Sequence, residues 1–391
     1  MSERKALISD FADEVKIITP DDGYHYFFAY YDMRATGNGI NERHLCHRVS
    51  FMDRLPEADD FCELGYLEDG KFVKFAETTA WNFQQGAMLQ YHPTLPDTVY
   101  YSTVVDGKFV SAIHNFTTGE IRYTDRATAA VSPDGRYGLA VNFGRIFAFR
   151  AGYGYAGFVD EGADVKAPED DGVFLVDMES GKSRLLVSYR DMLCESGFTE
   201  NDKILVNHIT FNTDSTGYIM LVRDLRTPKT GWDTSMVFGD LNGRVHTVVN
   251  RSYVSHYYWI SPTEIMAHAT VEPGKKSLYL FNTDTNEYRE IATGYLPDGE
   301  PDIHCSLSPD GKYVIGDGYP RDEYRPLVAI ELATAKAVTL LRSYSPKPPL
   351  DDIRCDLHAR FVLGGKYISY DTTQNGKREI ALFPTSLIQF D

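Results

Sequence analysis

Three histidines recur at one place in a repeating pattern, and a fourth lies one residue from it. His304 stands four residues before Ser308-Pro-Asp-Gly-Lys-Tyr, His358 four before Val362-Leu-Gly-Gly-Lys-Tyr, and His208 four before Asn212-Thr-Asp-Ser-Thr. In the copy Ser261-Pro-Thr-Glu-Ile the same place is Tyr257, with His256 beside it. The intervals from 208 to 256, 304 and 358 are 48, 48 and 54 residues. Imidazole changes charge near neutrality and is the commonest metal ligand, so a ring of them can move protons or hold a cation. A single histidine is usually a packed one, but packing gives no reason for imidazole to return at one register position. His44, His47, His92, His114, His246 and His268 fall at other positions and read as structural or surface residues.

Arginines accompany the series. Arg251 lies five residues before His256, Arg354 four before His358, and Arg360 two after it. Guanidinium groups bind carboxylates in a two-pronged fashion, and these three would make one place locally positive in an acidic chain. They would serve equally well in ion pairs between strands. Tyr30-Tyr31-Asp32, Trp81, Gln84-Gln85 and Tyr257-Tyr258-Trp259 fall near the starts of repeat units. Such aromatic faces stack on sugar rings or fill the space between sheets. Tyr31, Trp81, Gln85 and Arg354 are the candidate substrate contacts.

The elements that must position these residues are strands. Ser132-Pro-Asp-Gly-Arg-Tyr matches Ser308-Pro-Asp-Gly-Lys-Tyr, with weaker copies at 92, 212, 261 and 362. Proline fixes φ, aspartate bonds the backbone and glycine takes a positive φ, so each copy is a turn between strands. A second motif, strand–polar turn–strand, recurs from Cys62, Val110, Val173, Met236, Leu278, Val328 and Ile380. Seven units over 391 residues give about 56 residues each, the scale of a four-stranded propeller blade. Convincing helical periodicity is almost absent, 187–197 being the best short candidate. The expected fold is an all-β, seven-bladed β-propeller forming a single domain over 1–391, with an insertion in the third blade around 150–172. The last unit stops early, so Val15-Lys-Ile-Ile-Thr is expected to supply its outer strand and close the ring.

Composition removes several function classes. Lys+Arg 39 against Asp+Glu 56 gives a net charge of −17, which disfavours nucleic acid and acidic membrane surfaces as partners. No apolar run is long enough to span a membrane, and the N-terminus carries no secretory pattern, so a cytoplasmic location is expected. The five cysteines are widely spread and show no zinc spacing, as in a reducing compartment. Gly152-Tyr-Gly-Tyr-Ala-Gly is followed by no Lys-Ser/Thr, and no Gly-x-Ser-x-Gly occurs, so a nucleotide loop and a serine nucleophile elbow are both rejected.

Asp302-Ile-His-Cys-Ser-Leu-Ser-Pro-Asp-Gly-Lys-Tyr with Asp317-Gly-Tyr-Pro, and Arg354-Cys-Asp-Leu-His-Ala-Arg-Phe with Tyr370-Asp-Thr-Thr-Gln-Asn-Gly-Lys-Arg-Glu-Ile, resemble the last two blades of the oligogalacturonate lyase family. Phe27-Phe-Ala-Tyr-Tyr-Asp and Trp81-Asn-Phe-Gln-Gln-Gly are also similar to relatives of these lyases. The resemblance implies a seven-bladed propeller that cleaves uronate oligosaccharides by β-elimination and holds manganese with several histidines and a glutamine. It implies His304 and His358 as ligands of Mn2+ or another divalent cation. The family's final-blade pattern is Gln-x-x-His-x-His, and here those places are Cys355, His358 and Arg360. Two imidazoles are too few to hold a divalent ion alone, and His208 is a further candidate.

Elimination removes the proton α to a carboxylate, so that carboxylate must be neutralised by a metal, an arginine or a protonated histidine. Arg360 in place of a ligand fits neutralisation by arginine, and Arg251 would add to it. His256 or His208 is then the base at C5 and Tyr257 the acid for the leaving oxygen. The expected partner is an acidic oligosaccharide. Two other readings stay open: a propeller that only binds a sugar or protein through the same mouth, and a glycoside hydrolase using a carboxylate pair drawn from Asp32, Asp302 and Asp356.

Overall fold

In the computed structural model, residues 5–37, 42–224, 233–272, 274–292 and 302–390 are described. Among them the strands form seven antiparallel sheets: six of four strands and one of five. The sheets follow one another along the chain, so the fold is a seven-bladed β-propeller. The innermost strands of blades 1 to 7 are His25–Phe27, Gln90–Tyr91, Thr128–Val131, Ile204–Phe211, Val254–Trp259, Ser306–Leu307 and Arg360–Val362. The Pro-Asp-Gly turns form as their residue types require. Gly135 (φ 75°) donates its N–H to Ser132 O at 2.9 Å, and Gly311 (φ 71°) to Ser308 O at 2.8 Å.

Each blade is held to the next by apolar side chains from facing sheets. Met236, Ile219, Tyr257 and Ala267 join blades 4 and 5, and Leu341, Leu357, Ile368 and Phe383 join blades 6 and 7. The ring closes through the N-terminal segment. Lys16–Ile17 pairs antiparallel with Leu382 and Ala381, completing blade 7 as its outer strand. Leu7–Ile8 adds a fifth strand to blade 6 against Ser343 and Arg342. A chain lacking residues 1–19 is expected to melt at a lower temperature and to self-associate through the bared blade edges; thermal scanning with light scattering checks both.

The longest connection inside a blade separates Tyr137–Ala140 from Gly172–Asp177 in blade 3. It carries a short helix, α1 (Phe143–Phe149), capped by Asn142, whose side chain accepts from Arg145 N. A single 3-10 turn, Ala151–Tyr153, follows. A second helix, α2 (Tyr189–Glu195), begins in a Ser188/Asp191 capping box within the segment where sequence placed its best helical candidate. Among the described residues, no helix is long and apolar enough to cross a membrane.

Candidate functional site

His208, His256, His304 and His358 meet. Ring centroids lie 5.9 Å apart for His208 and His256, 3.8 Å for His256 and His304, and 4.3 Å for His304 and His358. Four consecutive blades therefore face one another across a single mouth. In blade 5 the residue delivered there is His256, and not its neighbour Tyr257. Irregular backbone aims the rings. His208 has φ 48° and sits where the strand register slips between Asn207 and Ile209. The register also slips across Ser255 and His256, and His358 has φ 44°. Bulges re-aim side chains, and left-handed backbone at non-glycine residues marks a position held by its surroundings.

A set of buried carboxylates sets the imidazole orientations. Asp302 accepts from His256 Nδ1 at 2.8 Å and from the Tyr253 hydroxyl at 2.8 Å, and lies 3.3 Å from His268 Nδ1. Asp317 pairs with His304 Nδ1 at 2.9 Å and accepts Leu357 N of the next blade at 2.7 Å. With Nδ1 committed, Nε2 of His256 and of His304 is left for a substrate or a cation. Burial opposes charge on Asp302, but His256 and His268 outweigh it and hold the carboxyl well below its usual range. Burial likewise opposes charge on Asp317, and His304 and Arg325 bring it down to about 2. Burial lowers the pKa of His208, His256 and His358 and favours their neutral forms.

Blade 1 closes the floor of the mouth. The Tyr30 hydroxyl lies 2.6 Å from His208 Nδ1, and the Tyr31 ring packs 5.4 Å from His304 and 5.9 Å from His358. Gln85 is buried, its backbone N–H donating to Asn82 Oδ1 at 2.7 Å. The blade-3 connection roofs it. Arg150 Nε pairs with Asp352 at 2.8 Å, and Arg354 Nη2 donates to the Tyr153 hydroxyl at 2.9 Å. Tyr153 reaches within 6.2 Å of the His208 ring. None of the four histidines is more than 8% exposed. Beside the roof lies a cavity of about 760 Å³, lined by Arg150, Arg223, Tyr253, Ser255 and Asp352 among others.

Other candidate residues stand elsewhere. Arg251 is on the outermost strand of blade 4, paired with Asp233 at 2.8 Å and stacked on Phe198. Arg360 is buried, and its guanidinium goes to Asp371 (2.7 Å), Ser369 Oγ (3.0 Å) and Ala29 O (3.2 Å). Trp81 packs among Phe27, Phe51 and Phe83 and donates its N–H to Asp60 O at 2.8 Å. The Tyr257 hydroxyl donates to His208 O at 2.6 Å, so it is turned into the blade interface. Tyr257→Phe is accordingly expected to change turnover by less than about threefold on any substrate of this mouth, since the interface loses one hydrogen bond and the site none.

Sequence reasoning missed Asp302 and Asp317 as histidine partners, and Tyr153 as a wall. A signal was present. Asp302 and Asp356 each precede a site histidine by two residues, and Asp317 and Asp371 follow those histidines by thirteen. Asp32 takes no part in the ring of histidines. Burial raises its carboxyl to about 7, only partly offset by Arg34. A raised folded-state value means that stability from this group is full below the unfolded value near 4 and falls as pH rises towards 7. Asp32→Asn is expected to stabilise the fold by about 1–3 kcal/mol at pH 8 and not at pH 4, as read by denaturant unfolding at the two pH values.

No protein-family model and no curated protein matches the sequence. The fold is similar to that of solved structures. An oligogalacturonate lyase in complex with manganese superposes with TM-score 0.68 and 14% identity, covering 97% of this chain and 96% of that one. The oligogalacturonate lyase of Vibrio parahaemolyticus gives TM-score 0.67 and 14% identity over the same shares. A prolyl endopeptidase matches at TM-score 0.54 and 11% identity over 96% of this chain and 50% of its own. At such identities the likeness is one of fold.

Proposed function

We propose that the protein is a lyase that cleaves uronate-containing oligosaccharides by β-elimination at the histidine-lined mouth. The observation that carries this reading is the convergence of His208, His256, His304 and His358 from four consecutive blades, with buried carboxylates on Nδ1 of His256 and His304. The likeness of the whole chain to two oligogalacturonate lyases supports it.

His256 is the base. Asp302 holds its Nδ1 proton, so the lone pair on Nε2 is available for the C5 proton of the uronate. As that C–H bond breaks, its electrons form the C4=C5 double bond and the C4–O bond leaves. Tyr30, paired with His208, is the group in the mouth suited to protonate the departing oxygen. Arg354 sits at the edge of the mouth as the cation for a substrate carboxylate, its charge already shared with Asp356.

The residues also fit a divalent cation. His304 and His358 adjoin, and the buried Asp356 brings a carboxylate oxygen within 4.8 Å of an imidazole nitrogen of each. A cation bound there would neutralise the uronate carboxylate and acidify C5. The geometry disfavours a glycosidase built on Asp302 and Asp356, because His256 beside Asp302, and Arg354 and Arg325 beside Asp356, hold both carboxyls ionised and leave that pair without a proton donor. The test is a panel of uronate oligosaccharides followed by the ultraviolet absorbance of the unsaturated product, for wild type and His304→Ala, with manganese or chelator. A rise that the variant loses is expected. No rise on any uronate would return the mouth to a binding role.

A further inference from the structure

We propose that Asp356 is a metal ligand, its carboxylate completing with the imidazoles of His304 and His358 a two-histidine, one-carboxylate site for a divalent cation. These three buried residues each bring one donor atom to within 4.8 Å of the others. The inference concerns the same mouth as the lyase reading, but it needs no lyase step, because ion binding is measurable without a substrate.

The argument begins with what the final blade lacks. The positions that the resemblance marks for a glutamine and a second histidine hold Cys355 and Arg360. The Cys355 thiol is turned to Asp356 O at 3.8 Å, and Arg360 is committed to Asp371. Neither offers a donor to the mouth. Asp356 lies between them and faces inward.

The repeat explains why. In blade 6, Asp302 precedes His304 by two residues and reaches back to Nδ1 of the preceding blade's His256. In blade 7, Asp356 holds the matching place before His358 and reaches back towards His304. There Asp317 already occupies Nδ1. The carboxylate is therefore left beside two imidazoles instead of pairing with one. Its Oδ2 lies 4.0 Å from His358 Nε2.

Asp356 is 3% exposed. Oδ1 takes Arg325 Nη2 at 2.7 Å and Arg354 Nε at 3.0 Å. Oδ2 is ion-paired with Arg354 Nη2 at 2.9 Å. A carboxylate has about four lone-pair sites, so these ion pairs leave it capacity for a further partner. Here the other neighbours are imidazole nitrogens, and a cation is what joins such donors. Arginines that hold the other carboxylate oxygen, and Asp317 behind His304, are the supports a ligand set normally has. Two nitrogens and one hard oxygen with open positions suit Mn2+ or Fe2+ and leave room for a substrate carboxylate.

The test is a titration of Mn2+ into the metal-stripped full chain, followed by the loss of the free-ion electron paramagnetic resonance signal. Wild type is expected to bind one ion per chain. Asp356→Asn and His304→Ala are each expected to weaken binding by at least about tenfold, while Asp310→Asn in an exposed turn leaves it unchanged. Asp356→Asn also removes the counter-charge of two arginines, so Asp356→Glu, which keeps the charge and moves the oxygen, is measured beside it. Weaker binding by the glutamate variant with an unchanged melting temperature supports the proposal. Wild-type Mn2+ affinity in both Asp356 variants, or no bound ion in wild type, overturns it. One bound ion in a chain inactive on every uronate would overturn the lyase reading and leave this site standing.

Discussion

Replacing His256 by alanine is expected to cut turnover of a uronate oligosaccharide by about 10³-fold, within the range that a positioned general base contributes. KM should stay close to that of the wild type, because the lost interaction is made chiefly in the transition state. The expectation rests on geometry. His256 Nδ1 is tied to Asp302 at 2.8 Å, its ring is 5% exposed, and it lies 3.8 Å from His304 and 5.9 Å from His208. The other aligned candidate in that blade, Tyr257, has its hydroxyl turned to the His208 carbonyl. Asp302→Asn should follow His256→Ala in direction with a smaller loss, because the amide no longer fixes which nitrogen carries the proton. Circular dichroism of the variants checks that the blades remain. Full turnover in His256→Ala would move the base to His208.

Asp371→Ala is expected to destabilise the fold by about 3–5 kcal/mol, the cost of stripping the partner from a buried charge. Asp371 is the penultimate residue of the second strand of blade 7, Tyr367–Thr372, and is 2% exposed. It accepts Arg360 Nη2 at 2.7 Å, Phe28 N at 3.1 Å and Ala29 N at 2.7 Å. One carboxylate thus neutralises a buried guanidinium and ties the last blade to the first. Asp317 performs the same task one blade earlier, towards Leu357 N. Asp371→Asn should cost less than alanine, because the amide oxygen still accepts a backbone N–H while the charge is lost. Denaturant unfolding of the three proteins orders them, and equal stability of wild type and the alanine variant would contradict this account of ring closure.

The blade count, the turns and the N-terminal closure were legible because they rest on local signals: Pro-Asp-Gly at recurring intervals, and apolar runs that must end at them. The histidine ring was legible for the same reason, since His208, His304 and His358 keep register with those turns and His256 stands one residue from it. Arg251, Arg360 and Trp81 were misjudged as candidates of the mouth because sequence proximity to a site histidine says nothing about which way a strand residue points. Arg251 precedes His256 by five residues and yet belongs to the outermost strand of the preceding blade. The bulges at His208 and His256 leave no clear residue signature. The carboxylates at 302, 317 and 356 carried a periodic signal equal to that of the histidines; their roles became readable only when the blades placed each aspartate against the histidine of its own or the preceding blade.

The central claim, that this mouth performs an elimination, is tested most directly by the origin of the oxygen at the newly formed chain ends. Uronate oligosaccharides would be incubated with wild type and His256→Ala in water enriched in heavy oxygen, and the products weighed by mass spectrometry. The account predicts unsaturated ends that contain no solvent oxygen, formed by wild type and almost abolished in the variant. Saturated products in which one of the two fragments from each cleavage carries a heavy oxygen, or substrate left intact by wild type, would contradict it.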